Sequence, residues 1–229
     1  MIILGLTKTT LLDYPGKVAA TVFTGGCNFR CPFCHNGHLI TNIDSYESIS
    51  EETVLEHLEK RKNVLEGVCI TGGEPTINTD LSDFIRKIRE MGYKIKLDTN
   101  GTNPGMLDPL IKEKLIDYVA MDIKNSKEKY IVSAECNAEQ LKDIERSVEI
   151  LKSSNIEYEF RTTLVRELHE KEDIEKTAEW IKGCPKWYIQ SYVESENVLE
   201  KRFSSYSKEE ILSLIQEIKG INIELRGID

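Results

Sequence analysis

Three cysteines, Cys27, Cys31 and Cys34, stand within eight residues in the stretch CNFRCPFCHN, a C-x3-C-x2-C spacing. Three thiolates on one irregular loop can converge on one metal centre. Closed structural zinc sites and ordinary four-iron clusters each take four protein ligands. A three-thiolate site therefore leaves one metal position open, and an open position is where a substrate or cofactor binds. The amine and carboxylate of an amino acid can chelate such an iron. The alternative is a zinc site completed by His35 or His38.

Four further stretches carry residue types suited to a binding site. In Thr71-Gly72-Gly73-Glu74-Pro75 two glycines permit close backbone approach, and carbonyls with a carboxylate suit a positively charged amine. Asp98-Thr99-Asn100-Gly101 is a turn with an acid at its start. Asp122 and Lys124 end another apolar run. Arg161 lies in the otherwise apolar EFRTTLV, where a charge is costly unless a carboxylate satisfies it. Glu159, two residues away on the same strand face, is its simplest partner.

These stretches must be held by something regular. Strand-like runs cover residues 18–24, 67–71, 94–98, 117–123, 156–165 and 187–193, with a terminal strand at 221–225. Between them, helical periods place Val54, Leu55, Leu58 and Leu65 over 51–65, and Leu81, Phe84, Ile85, Ile88 and Met91 over 80–91. Ser50 and Asp80 are candidate N-caps. Further helices are expected over 105–115, around Leu141–Leu151, around Ile174–Ile181 and over 207–219. About six strand–helix units argue for a parallel sheet with outer helices, an open or partial barrel rather than a closed eight-unit one; a doubly wound sheet is the alternative. In either fold the functional loops lie at the carboxyl ends of the strands. CNFRCPFCHN follows the first run, GGEP the second, DTNG the third, and Asp122–Lys124 ends the fourth, so all face one mouth. One domain over 1–229 is expected.

With 30 Lys and Arg against 39 Asp and Glu, the net charge is −9, which argues against a broad nucleic-acid surface. No apolar run is long enough to span a bilayer, and the N-terminus has no basic segment or cleavage site of a leader. A soluble, cytoplasmic protein with reduced thiols is expected. Cys69 reads as a small buried hydrophobe, and Cys136 and Cys184 as loop or element-end residues. His57 and His169 read as surface residues.

The cysteine spacing, with Phe33 before the last cysteine, resembles the cluster loop of the radical S-adenosylmethionine (radical-SAM) superfamily. CNFRCPFCHN preceded by LLDYPGKVAATVFTGG resembles the activating enzymes of glycyl-radical enzymes, and within them the longer activating proteins of anaerobic ribonucleoside-triphosphate reductase. Specific motifs carry the resemblance as far as about Lys124. It implies a partial (βα)6 barrel, and a [4Fe-4S] cluster on Cys27, Cys31 and Cys34. It also implies S-adenosylmethionine cleaved to methionine and a 5′-deoxyadenosyl radical, with no side chain acting as general acid or base. Phe33 would lie by the adenine; Gly72, Gly73 and Glu74 would take the methionyl amine; Lys124 would meet the cofactor carboxylate. Arg161, as a charge its strand must satisfy, would bind either that carboxylate or a carboxylate of the site. Asp98 would lie near the cofactor and, with Asp122, could hold a monovalent cation. The histidine some activases carry near the sixth strand has no counterpart; Gln190, Ser191 and Tyr192 occupy that neighbourhood. The implied partner is a glycyl-radical enzyme, anaerobic ribonucleotide reductase first, with flavodoxin or ferredoxin as electron donor and neither nucleic acid nor membrane. The competing expectations are a small-molecule enzyme of the 7-deazaguanine-precursor synthase type and a metal-bound interaction module without turnover. Little sequence follows the six units for a dedicated small-substrate domain, which favours the activase.

Overall fold

The computed structural model describes residues 1–41 and 43–228, and its eight strands form one sheet in chain order. β1 (Ile3–Thr10) pairs antiparallel with β2 (Ala19–Thr24). β3 (Gly67–Gly72), β4 (Lys94–Thr99), β5 (Tyr118–Asp122), β6 (Glu157–Leu164), β7 (Trp187–Ser191) and β8 (Ile223–Arg226) then add in parallel. Helices fill every crossover: α1 (Glu51–Lys60), α2 (Leu81–Glu90), α3 (Pro104–Lys112), the pair α4 (Lys127–Ala134) and α5 (Ala138–Ser153), α6 (Lys171–Trp180) and α7 (Lys208–Ile215). Crossovers of one hand that always step the same way along a sheet place every helix on one face. The other face is then left to curl around itself. The result is the partial (βα)6 barrel rather than the doubly wound sheet, whose strand order reverses midway. It stays open, with β1 and β8 as the two edges.

The strand alternation sorts the side chains. Val22, Ile70, Leu97, Met121, Phe160 and Ile189 are fully buried on the helix-covered face. The inner face holds a separate small apolar plug of Tyr14, Ala19, Tyr118 and Ala120. Beside and above it the register brings Thr21, Cys69, Lys96, Asp98, Glu159 and Arg161 onto the same face.

Several elements differ from expectation. β1, a Thr-rich edge strand, and α4, with only a weak apolar period, carry little local signal. α1 stops at Lys60, and Leu65 reaches the core from the turn beyond it. α7 ends at Ile215. Ser50 does cap α1, its hydroxyl accepting from Thr53 N at 3.2 Å. Asp80 makes no cap bond, because its carboxylate pairs with the Met1 ammonium instead.

Candidate functional site

The loops after β2, β3, β4 and β5 meet in an open cavity of about 250 Å³ at the carboxyl ends of the strands. Cys27, Cys31 and Cys34 all line it, with Phe33, Gly72, Gly73, Glu74, Asp98, Asp122, Lys124 and Arg161. The residues expected to hold the cluster and the cofactor thus border one space, while His38, the other candidate zinc ligand, does not line it.

The cysteine loop is fixed from several sides. The Arg30 guanidinium donates to the Cys27 carbonyl at 2.7 Å and the Phe29 carbonyl at 2.8 Å. Asn100 donates through Nδ2 to Asn28 Oδ1 at 2.9 Å, and Asn28 Nδ2 to Thr102 Oγ1 at 2.7 Å, which ties the loop to the DTNG turn. The segment after β7 straps across it: Glu200 N donates to the Pro32 carbonyl at 2.9 Å and Gly37 N to the Asn197 carbonyl at 3.1 Å. α4, unforeseen in the sequence, supplies a wall, with Cys31 Sγ 3.6 Å from the Ala134 carbonyl. Burial pushes the Cys27 thiol up to about 11 and the Cys31 thiol up to about 12, and also raises Cys34. Lys124 opposes all three shifts. Without a metal group these cysteines are neutral thiols near pH 7, and a metal group would have to displace their protons.

The GGEP turn has a packing duty of its own. A Cβ on Gly73 would lie 1.9 Å from the Gly26 carbonyl oxygen, and one on Gly72 2.3 Å from Thr24 N. Only glycines let this turn press against the start of the cysteine loop, where Gly73 N donates to Thr24 O at 2.9 Å and Glu74 N to Gly26 O at 2.8 Å. Glu74 is 1% exposed. Its Oε1 accepts from Thr76 N at 3.1 Å, Thr76 Oγ1 at 2.5 Å and Thr99 Oγ1 at 2.8 Å, and its Oε2 from Asn100 N at 2.6 Å. The carboxylate therefore brackets two loops, a use the sequence did not reveal. Burial raises its pKa, against the pull of those hydrogen bonds.

Arg161 joins the two aspartates. Its Nε donates to Asp122 Oδ1 at 2.9 Å and its NH1 to Asp98 Oδ2 at 2.9 Å. Lys124 Nζ donates to Asp122 Oδ2 at 2.8 Å, and Lys96 Nζ to Asp98 Oδ1. Burial alone would raise both carboxyls; Arg161 with Lys124 at Asp122, and Arg161 with Lys96 at Asp98, hold them below the usual carboxylate range. Glu159 is not the partner expected for Arg161: it accepts from Tyr118 Oη at 2.5 Å and from Arg226 NH1 at 3.3 Å. Asp98 and Asp122, which could hold a monovalent cation, are paired here with Lys96, Arg161 and Lys124. Lys96 was missed, although its alternation with Asp98 in KIKLD puts both on one strand face.

Three other placements correct the sequence reading or add to it. His169 is not on the surface: it is 1% exposed, with Nε2 2.8 Å from the Lys124 carbonyl and its ring edge-on to Phe33. Cys69 is buried as expected, but beside polar groups, 3.7 Å from Asp98 Oδ1. Thr163 and Gln190 also line the cavity, so Gln190 stands where a histidine was sought.

The radical SAM superfamily profile matches residues 21–181, and the chain belongs to that superfamily. A Methanocaldococcus jannaschii protein described provisionally as a glycyl-radical enzyme activating enzyme is 34% identical over 203 residues, covering 87% of this chain and 82% of its own. The pyruvate formate-lyase-activating enzyme of Clostridium pasteurianum is 31% identical over 120 residues, 50% of this chain and 49% of that one. A 7-carboxy-7-deazaguanine synthase of Thermoplasma acidophilum is 34% identical over 90 residues, 39% of this chain and 40% of that one. Among solved structures, Streptococcus suis SuiB bound to S-adenosylmethionine superposes with a TM-score of 0.68 at 15% identity, over 89% of this chain and about half (49%) of that one. That likeness is one of fold.

Membership implies a four-iron cluster and S-adenosylmethionine, and the donor set fits. Cys27, Cys31 and Cys34 border one cavity, and three thiolates would hold a four-iron cluster with one metal position left for the cofactor.

Proposed function

We propose that the protein is an activase that abstracts hydrogen from a glycine of a partner glycyl-radical enzyme. The cluster and S-adenosylmethionine, when bound, supply reductive cleavage of the sulfonium and a 5′-deoxyadenosyl radical. Cys27, Cys31 and Cys34 would hold the cluster. Lys124 keeps a positive charge beside the thiolates. Lys124 and Arg161, braced by Asp122 and Asp98, present cations to the cofactor carboxylate. Gly72 and Gly73 offer backbone to its amine, and Glu74 keeps that backbone in place. Phe33, in the cysteine loop and edge-on to His169, gives an apolar surface for the adenine. The observation that carries this reading is the convergence of three thiols and a paired cation cradle on one cavity. The match to an activating enzyme along 87% of the chain favours an activase over a small-molecule enzyme.

The partner we favour is anaerobic ribonucleotide reductase, with flavodoxin or ferredoxin as the reductant, in the cytoplasm. The N-terminal string LLDYPGKVAATVFTGG supports that choice. Among the described residues no helix is long and apolar enough to cross a membrane. The test is anaerobic. The reconstituted, reduced protein is mixed with S-adenosylmethionine and a candidate glycyl-radical enzyme, and the paramagnetic resonance spectrum and 5′-deoxyadenosine are recorded together. A glycyl-radical doublet is expected with the wild type and none with Cys31→Ala, which should also lose cluster colour and all deoxyadenosine. Deoxyadenosine without a doublet from any candidate would refute the activase reading. A Cys31→Ala protein that still cleaves the cofactor would refute the three-thiolate site.

A further inference from the structure

The Asp98–Asp122 pair has the composition of a hard-cation site, two carboxylates at one barrel mouth. Its occupants are already in the chain. Asp98 Oδ1 is taken by Lys96, Asp98 Oδ2 and Asp122 Oδ1 by Arg161, and Asp122 Oδ2 by Lys124. Each of the four carboxylate oxygens thus meets a side-chain cation. Two negative charges face three positive ones, so a further cation would enter a site with a net positive charge and no carboxylate oxygen to itself.

Lys96 is the unusual member. It is 2% exposed and rises from β4 inside the barrel. Its ammonium touches Asp98 and lies 3.7 Å from the Cys69 sulfur, a weak acceptor. An ammonium this deeply buried persists only if a carboxylate compensates it. Asp98 does so from the same strand face, two residues along. The pairing leaves Asp98 one oxygen for Arg161, and the guanidinium then spans to Asp122, fixed at both ends.

We propose that Lys96 is a positioning residue that serves as a built-in counter-cation, so that cofactor binding here requires no monovalent metal ion. The proposal rests on the cofactor site described above. Lys96 acts through Asp98 on Arg161, and the orientation of Arg161 sets the affinity for the cofactor carboxylate.

The test measures S-adenosylmethionine binding to the cluster-loaded protein by equilibrium dialysis, in potassium, sodium or choline chloride at equal ionic strength. Thermal melting is followed in the same salts. Wild-type affinity and melting should be the same in all three. Lys96→Met should bind about 10- to 100-fold more weakly in choline, the usual cost of removing a group that orients a binding residue. Potassium or sodium should restore much of that loss and raise the melting temperature of the variant alone. Saturable enhancement of wild-type binding by potassium or sodium would overturn the proposal while leaving the cofactor site intact, and it needs no variant. Unaltered affinity of Lys96→Met in choline would also overturn it. Failure of the wild type to bind the cofactor in any salt would refute the cofactor site itself. The melting data would then decide the counter-cation: stabilisation of Lys96→Met alone by alkali ions supports it, and stabilisation of the wild type overturns it.

Discussion

In β4, Ile95 and Leu97 turn outward beneath the helices, while Lys96 and Asp98 turn into the barrel, and all four are buried. The same contrast runs through β5 and β6, where Met121 and Phe160 face the helices while Asp122 and Arg161 face the cavity. The outer face is held by non-directional burial and tolerates apolar side chains of about the right size. The inner face is held by charges that must each find a partner at hydrogen-bond distance. Stability is therefore spread over the outer face. The inner face concentrates it in a few pairs that also define the binding surface, so a change there should alter fold and function together.

Arg161→Met should give the largest effect. It leaves Asp98 and Asp122 facing one another with Lys96 and Lys124 alone, and breaking a buried pair costs about 3–5 kcal/mol. Urea unfolding under anaerobic conditions measures the loss, and cofactor binding to the fraction still folded should fall as well. A fully folded variant with wild-type affinity would show that the inner pairs do not couple stability to binding.

Leu97→Ala, one residue from Asp98 on the opposite face, should cost about 2–5 kcal/mol by leaving a cavity. Deoxyadenosine formed per folded molecule should not change. If cleavage fell in parallel with stability, the division of labour between the faces would be wrong.

The smallest effect is expected in the pH dependence. Asp98 and Asp122 have folded-state pKa values below those of free carboxyls. The stability they contribute is present above the ordinary value of about 4 and is lost as pH falls through their lower, folded-state values. The acid limb of stability against pH should be steep in the wild type, equally steep in Leu97→Ala and shallower in Lys96→Met. An equally steep limb in Lys96→Met would separate acid unfolding from this network.

How far the sequence could be read differs between the two faces in the same way. Leu81, Phe84, Ile85 and Ile88 recur at helical spacing and are all fully buried on one side of α2. Such periods are local, and burial follows from them directly. The cysteine spacing, GGEP and DTNG are equally local, and each follows a strand, which by itself places them at one mouth. Partner choice was not local. Arg161 lies 39 residues from Asp122 and 63 from Asp98, and its in-strand neighbour Glu159 was the obvious but wrong candidate. His169 lacked a signal for the same reason, since the carbonyl of Lys124 that holds it is 45 residues away.

The sequence by itself determined the strand–helix alternation, the end of the sheet that carries the chemistry, and the three thiols, because alternation, helical period and loop position are properties of neighbouring residues; the choice of a barrel over a doubly wound sheet needed the strand order. Only the tertiary structure decided what each charge does. It turned Glu74 into a bracket between loops, enclosed Lys96, and bridged the two aspartates with Arg161. A buried charge is stabilised by whichever opposite charge the closed sheet brings within about 3 Å, and that distance is set by strand register and curvature rather than by sequence separation.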